Sequence, residues 1–321
     1  MRIAVLGLGA VGAVYACLLK KAGHEVWGLV RPEEQDELKE LGLTVSGAWG
    51  RKRAMLDELS AQSTIGSDQK FDGLVVAVKS YDLSEELLRW AETARSEGGW
   101  VLLLQDGYGN YEKAAEVIPS RHIIMGQQSV EMLAENLGES QVMGPGEPLR
   151  IGSPEGIMPV VELEAVSALL TEAGIATVVE AGIMRYVWAN IILHSAFSSF
   201  SAILQEPFGK LLSEEQSKVI VDDVIKEIYQ VMELIGAQAI WPDREACQQE
   251  LVVRDIGLYS PRKSLLLEDI RRGRPTEIDY FNGAICRLAQ AHGIFTPCNE
   301  MLRTMLGHKI KLGFIATPAT N

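Results

Sequence analysis

Ile3-Ala4-Val5-Leu6-Gly7-Leu8-Gly9-Ala10-Val11-Gly12 opens the chain with an apolar run, three glycines spaced G-x-G-x-x-G, and the start of a helical stretch that continues to Lys21. Each glycine meets a separate steric demand. Gly7 permits a tight turn out of a strand, Gly9 lets backbone approach a pyrophosphate, and Gly12 permits close packing of helix on strand. The N-terminus of the following helix offers its unpaired N–H groups to the phosphates. With a strand before it and a helix after it, the turn formed by Gly7, Leu8, Gly9, Ala10, Val11 and Gly12 is predicted to bind a dinucleotide. The same rhythm continues outward. Apolar runs at 26–30, 74–78, 101–104 and 123–125 alternate with helical stretches at 33–41 and 84–94. Two further strand-like pieces, 149–151 and 176–179, flank a helix at 160–173, and the loop Gly144-Pro145-Gly146 lies inside the same domain. This βαβ pattern predicts an α/β fold, a Rossmann-like doubly wound sheet that is mostly parallel and buried on both faces.

Beyond about residue 180 the periodicity becomes helical. Val224, Ile225, Ile228, Val231, Met232 and Ile235 form one apolar stripe, and 184–204, 264–272 and 277–292 read as further helices, with fraying expected from Thr317. At about 150 residues per domain, the 321 residues suggest two domains, set at 1–180 and 181–321. The second is expected to be all-helical. Hydrophobic residues make up 47% and charged residues 23%, the balance of a globular protein with a large core. The 30 basic residues against 43 acidic ones give a net charge of −13, which argues against nucleic acid or an anionic membrane as partner. Cys17, Cys247, Cys286 and Cys298 lie far apart with no metal-ligand or dithiol spacing, so free thiols in a reducing cytoplasm and no metal site are expected. The N-terminus has no signal-peptide pattern. Residues 187–204 carry no formal charge, but Asn190, His194 and four serines mark a buried central helix rather than a membrane span.

The end of the second strand bears on the choice of dinucleotide. NAD sites usually place a carboxylate about 20 residues past the glycines. Here Val30-Arg31-Pro32 puts a guanidinium at that point, suited to a 2′-phosphate, with no carboxylate expected there to repel one, so NADP is predicted. Lys79 and Gln105-Asp106-Gly107 follow strand-like runs and become site candidates, because ligands gather at the carboxyl ends of parallel strands. In the second half, Lys263-Ser264-Leu265 and the stretch DIRRGRPTEIDYFN from Asp269 to Asn282 are the densest polar sequence. Gly273 and Pro275 break a helix there, and Glu277 is expected in the first turn of the next, where the helix dipole alone would stabilise its charge.

These residues together resemble the ketopantoate reductase family across the whole chain. The similarity is carried by GLGAVG, Arg31, Lys79, the LLLQDGYGN stretch from Leu102, Trp188, and the block holding Ser264, Asp269, Gly273, Arg274, Thr276, Glu277 and Asn282. The resemblance implies a Rossmann-like domain plus a helical domain, with hydride passing from NADPH to a small 2-oxo acid held in the cleft. It implies that Glu277 contacts the forming hydroxyl and Ser264 the substrate carboxylate. On this reading Arg31, Lys79, Asp106 and Glu277 join the glycine turn at the cofactor, and Asp106, Asn190, His194, Ser198, Ser264 and Glu277 border the substrate.

The chain departs from the family pattern on the substrate side. The usual Trp-x-Lys, whose lysine donates the proton, reads Trp188-Ala189-Asn190; later asparagines are replaced by His194 and Ser198, the asparagine of LQNG by Asp106, and another by Phe208. Asn190 and His194 share a helix face at i, i+4, and an imidazole can protonate a developing alkoxide near neutral pH. His194 is therefore the candidate general acid, with Lys79 and Glu277 as the other candidates. Two functions follow: a reductase of a 2-oxo acid, or a catalytically silent NADPH-binding relative acting as a sensor or partner protein. Oxidation of a hydroxy acid would differ from the first in direction only. A homodimer stays open at this stage.

Overall fold

The first strand, β1 (Arg2–Leu6), buries Ile3, Ala4, Val5 and Leu6 completely. Two-sided burial of this kind is worth about 1.5–3 kcal/mol for each large aliphatic side chain, and it places the strand at the centre of a sheet. The computed structural model describes residues 1–61, 69–144, 146–251 and 264–311. By contacts the chain divides into two units, Met1–Gln105 with Asn110–Ile183, and Asp106–Gly109 with Met184–Asn321.

In the first unit the strands are β1, β2 (Glu25–Val30), β3 (Leu43–Gly47), β4 (Lys52–Ala54), β5 (Glu58–Ala61), β6 (Phe71–Val76), β7 (Arg95–Leu103), β8 (Ile123–Gln127), β9 (Met132–Asn136), β10 (Glu139–Val142), β11 (Leu149–Gly152) and β12 (Thr177–Val179). Eight of them form one sheet in the order β12-β11-β8-β7-β6-β1-β2-β5. Every pairing in it is parallel except β11 with β8. The chain runs outward from β1 through β2 to β5, then returns to β6 on the other flank of β1. That reversal between β1 and β6 is the switch point at which open α/β sheets bind ligands. The crossover helices are α1 (Ala10–Lys21), α2 (Gln35–Leu41), α3 (Glu85–Ala94), α4 (Asn110–Ala115) and α5 (Val160–Glu172). α3 starts where the sequence suggests, because the Ser84 hydroxyl accepts from the Leu87 N–H at 3.0 Å.

The mostly parallel Rossmann-like sheet thus matches expectation, but a second layer was not anticipated. β4-β3-β10-β9 form a four-stranded sheet that packs on α1. Its strands are three to five residues long, and β10 pairs in parallel with β3 from almost a hundred residues away, so no local pattern announces it. Two expected boundaries also shift. The run 74–78 stops as a strand at Val76, and 33–41 begins as a 3-10 turn, Pro32–Glu34, before α2.

The second unit is helical. Its elements are α6 (Ile183–Leu193), α7 (Ser199–Leu204), α8 (Phe208–Ser213), α9 (Glu215–Ile235), α10 (Arg244–Gln248), α11 (Leu265–Arg271), α12 (Asn282–Ala291) and α13 (Pro297–Lys311). The stretch expected as one helix over 184–204 is divided by a π-turn at His194–Ser198. It is long and apolar enough to cross a membrane by length and composition, yet 72% of its most apolar window is buried, which makes it the core helix of this unit. The helix expected over 277–292 is also corrected. Glu277 precedes a 3-10 turn, Ile278–Tyr280, and Phe281 at φ −109°, ψ −101° breaks the path before α12 begins at Asn282. Lys263, Pro145 and the expected frayed end from Thr317 lie outside the described residues.

Candidate active site

At the switch point the glycine turn has the geometry that its spacing requires. Gly7 adopts φ +89°, and a Cβ there would stand 2.7 Å from Val78 Cγ1 and 3.0 Å from the Val78 nitrogen. A Cβ on Gly12 would fall 1.8 Å from the Gly7 carbonyl oxygen. Neither position can carry a side chain without moving the backbone. Gly9 differs: it caps α1, and nothing lies within 4 Å of where its Cβ would be. No side chain caps this helix, and no acidic residue occupies its first turn. Ala10 and Val11 start the helix half-buried, and Leu8 is buried against Gly28. An open, uncapped helix N-terminus fits a pyrophosphate, and this is the observation on which a bound dinucleotide rests.

Arg31 stands at the end of β2, mostly exposed, as the cap of the 3-10 turn. The expectation that no carboxylate stands nearby is corrected. Glu34 accepts a hydrogen bond from the guanidinium, and Glu33 lies 3.8 Å from its Nε. The turn causes this, since its Arg31–Glu34 spacing is i, i+3 and brings the two side chains to one side. Lys79 does not end a strand. It is exposed and caps the 3-10 turn Ser80–Asp82. Between β6 and Lys79 the backbone is held instead by Gln105, whose amide donates to the carbonyls of Val76 and Val78 at 2.9 Å each. The Gln105 Oε1 is buried with no hydrogen-bond partner. A pocket of about 530 Å³ in this unit is lined by Met1, Trp100 and His122, before β1, on β7 opposite the first half of β6, and just before β8. It therefore sits toward the N-terminal edge of the strands, away from the glycine turn.

The second unit gathers the other candidates. Trp188 is buried, and its ring meets that of Tyr108 at 5.5 Å. The Tyr108 N–H donates to the Tyr280 carbonyl at 2.9 Å, which ties the loop carrying Asp106 to the turn that follows Glu277. Asn190 is half-buried, and its Oδ1 has no hydrogen-bond partner. His194 opens the π-turn, stacks on Phe281 with ring centroids 4.7 Å apart, and places Nδ1 2.8 Å from the Ser198 hydroxyl oxygen. The Ser195 hydroxyl, fully buried, has no hydrogen-bond partner. Asp106 is half-buried, and Glu277 is buried. Ser264 is buried as the cap of α11, its Oγ accepting from the Leu266 N–H at 3.1 Å. Asp269 pairs with Arg274 at 2.9 Å.

A polar chain fixes this region from behind. The carboxylate of Glu227, on α9, accepts from the Cys298 N–H at 2.8 Å and from the Asn299 N–H at 3.0 Å. Asn299 Oδ1 accepts from Asn282 Nδ2 at 3.0 Å. Asn282 Nδ2 also donates to the Ser195 carbonyl at 3.1 Å, and its Oδ1 accepts from the Ser199 hydroxyl at 2.5 Å. The Glu227, Asn299, Asn282 and Ser199 side chains are buried, and the chain ends within the π-turn at Ser195 and just beyond it at Ser199. Sequence reasoning singled out Asn282 but missed Ser195, Phe281, Glu227 and Asn299. A π-turn has no residue signature of its own. The four thiols are unpaired. Burial pushes Cys247 up to about 12, and Cys286 and Cys298 up to about 11, so none is poised as a thiolate.

Fold and turn define the class, a Rossmann-type dinucleotide-binding protein with a helical second unit. The family follows from comparison. Residues 3–156 match ketopantoate reductase PanE/ApbA, residues 182–309 match its C-terminal domain, and the chain belongs to this family. It is 29% identical over 309 residues to the 2-dehydropantoate 2-reductase of Aquifex aeolicus, covering 96% of this chain and 97% of that one. Among solved structures, the PanE/ApbA family ketopantoate reductase from Ralstonia eutropha superposes with a TM-score of 0.84 at 26% identity, covering 97% of this chain and 99% of that one. D-mandelate dehydrogenase, solved with NADH and anilino(oxo)acetate, shares the fold with a TM-score of 0.84 at 22% identity, over 98% and 100% of the two chains.

Proposed function

We propose that the protein is a cytoplasmic NADPH-dependent reductase that converts a small 2-oxo acid to the 2-hydroxy acid, with residues 1–180 holding the cofactor and 181–321 the substrate. The observation that carries this reading is the match of both family domains along one chain whose glycine turn leaves the N-terminus of α1 open over Gly9. When bound, NADPH supplies the hydride for the carbonyl carbon. Gly7, Leu8, Gly9, Ala10, Val11 and Gly12 hold the pyrophosphate, Arg31 supplies positive charge at the end of β2, and Lys79 does so from the cap of the 3-10 turn that follows β6. His194 gives a proton to the alkoxide oxygen in place of the family lysine that Asn190 replaces. Ser198 orients its ring through Nδ1, and Phe281 fixes the plane of that ring. Asn190 Oδ1, buried with no hydrogen-bond partner, is an acceptor for a substrate hydroxyl. Ser264 binds the substrate carboxylate, while Asp106 and Glu277 complete the polar wall.

The test follows the absorbance of NADPH with purified protein against a panel of 2-oxo acids that includes 2-dehydropantoate. Oxidation of NADPH with at least one of them is expected. Absence of turnover across the panel by a protein that still binds NADPH would replace this reading with that of a silent binder.

A further inference from the structure

Arg31 and Glu34 bear opposite charges at the one point of the sheet where dinucleotide choice is made. The end of the second strand meets the adenosine ribose, where a carboxylate accepts from the hydroxyls of NADH and a guanidinium takes the 2′-phosphate of NADPH. Here both groups occupy four consecutive residues and are bonded to each other. The turn that holds them is well anchored. Pro32 restricts its first position, the Glu34 N–H donates to the Arg31 carbonyl at 3.0 Å, and the neighbouring Gln35 side chain donates to the Leu59 carbonyl at 2.8 Å. Glu34 is only 23% exposed, whereas Arg31 is 73% exposed, so the carboxylate has less room to swing away than the guanidinium.

The surrounding charge is mixed. Glu33 lies 3.8 Å from Arg31, and Asp82, at the end of the turn following Lys79, adds to the negative field that Glu34 and Glu33 exert on the guanidinium. A dianionic 2′-phosphate arriving at Arg31 meets these carboxylates and competes with Glu34 for the guanidinium. A ribose diol meets an acceptor already in place, its charge partly neutralised by Arg31. From this juxtaposition we infer that Glu34 sets the cofactor choice of the protein and that the site accepts NADH as well as NADPH. The inference rests on the proposed dinucleotide reading and deepens it.

Direct titration with NADPH and with NADH, read by nucleotide fluorescence, tests it without turnover. For the unsubstituted protein the two Kd values are expected to lie within about tenfold of each other, because a unit charge a few ångströms from a phosphate in high dielectric is worth about that factor. Glu34→Gln is expected to tighten NADPH by about tenfold on the same grounds and to leave NADH unchanged or weaker. Arg31→Gln is expected to weaken NADPH by a similar factor and to change NADH less. Unsubstituted protein that prefers NADPH by more than about a hundredfold, or a Glu34→Gln variant with an unchanged ratio of the two Kd values, overturns the inference while leaving the dinucleotide site standing. Failure of both nucleotides to bind folded, unsubstituted protein overturns the dinucleotide reading itself, and this inference with it.

Discussion

His194 places its Nδ1 2.8 Å from the hydroxyl oxygen of Ser198, across a π-turn rather than an α-helical one. The extra residue in that turn leaves backbone groups on a non-helical path, and such turns often mark functional sites. Stacking on Phe281 at an interplanar angle of 22° holds the ring from its face. A general acid contributes about 10²–10⁴-fold, so His194→Gln is expected to lower kcat by at least about a hundredfold with NADPH affinity unchanged. Ser198→Ala removes only the orienting contact and should lower kcat by about tenfold, with KM less affected. Single-turnover and steady-state rates on both variants decide the matter; unchanged kcat in His194→Gln removes the histidine from the chemistry.

The glycine turn could be read from sequence because its constraints are local: the clash of a Gly12 Cβ with the Gly7 carbonyl follows from one strand, one turn and one helix. The helical stripe of α9 was equally plain, since burial of Val224, Ile225, Ile228, Val231 and Met232 repeats with the helical period. Other features depend on partners distant in sequence. Lys79 lies beyond the strand expected for it, in a segment where Gln105, from the neighbouring strand end, donates to the Val76 and Val78 carbonyls. The π-turn is held by Asn282, more than eighty residues further along the chain. Glu277 loses its expected helical turn to the backbone of Phe281, which no helix propensity foretells. The pairing of Arg31 with Glu34 lay within local reach, since Arg31-Pro32-Glu33-Glu34 carries the i, i+3 spacing openly once a turn is drawn there.

Gln105 joins two parts of the cofactor end without touching the glycine motif. Both hydrogen bonds of its amide go to carbonyls on the β6 side, and Val78, one of the residues it holds, walls the space beside Gly7. Gln105→Met keeps the length and loses both donors; the Val76 carbonyl keeps the Leu104 N–H at 3.0 Å, while the Val78 carbonyl loses its donor at a cost of about 1–3 kcal/mol. Its NADPH Kd is expected to rise by about tenfold, with a lowered Tm, as the wall beside Gly7 relaxes. Gln105→Glu should weaken NADPH further, since it puts a negative charge close to the turn proposed to hold the pyrophosphate. Nucleotide titration and thermal unfolding on the two variants separate these effects. Equal Kd values in Gln105→Met and unsubstituted protein would show that the clamp does not shape the site.

Glu227 anchors the N-terminus of α13, where a carboxylate is favoured by both the free N–H groups and the helix dipole. Its two oxygens accept three hydrogen bonds, from the Cys298 N–H at 2.8 Å, the Asn299 N–H at 3.0 Å and Asn299 Nδ2 at 2.8 Å, while the side chain is almost fully buried. In Glu227→Gln one oxygen becomes an NH₂ group that must face a donor, so at least one buried N–H loses its acceptor. Charge-assisted bonds of this kind are worth about 1.5–3 kcal/mol each. At about 2–4 °C per kcal/mol for a domain of this size, Tm is expected to fall by about 3–12 °C. The loss should also reach the π-turn, because Asn299 hands the network on to Asn282 and so to Ser195 and Ser199. Glu227→Gln is therefore expected to lower kcat as well as Tm, even at temperatures far below unfolding, whereas a purely local cap would lower Tm alone. Thermal unfolding monitored by circular dichroism, paired with kcat measured well below the transition, distinguishes the two.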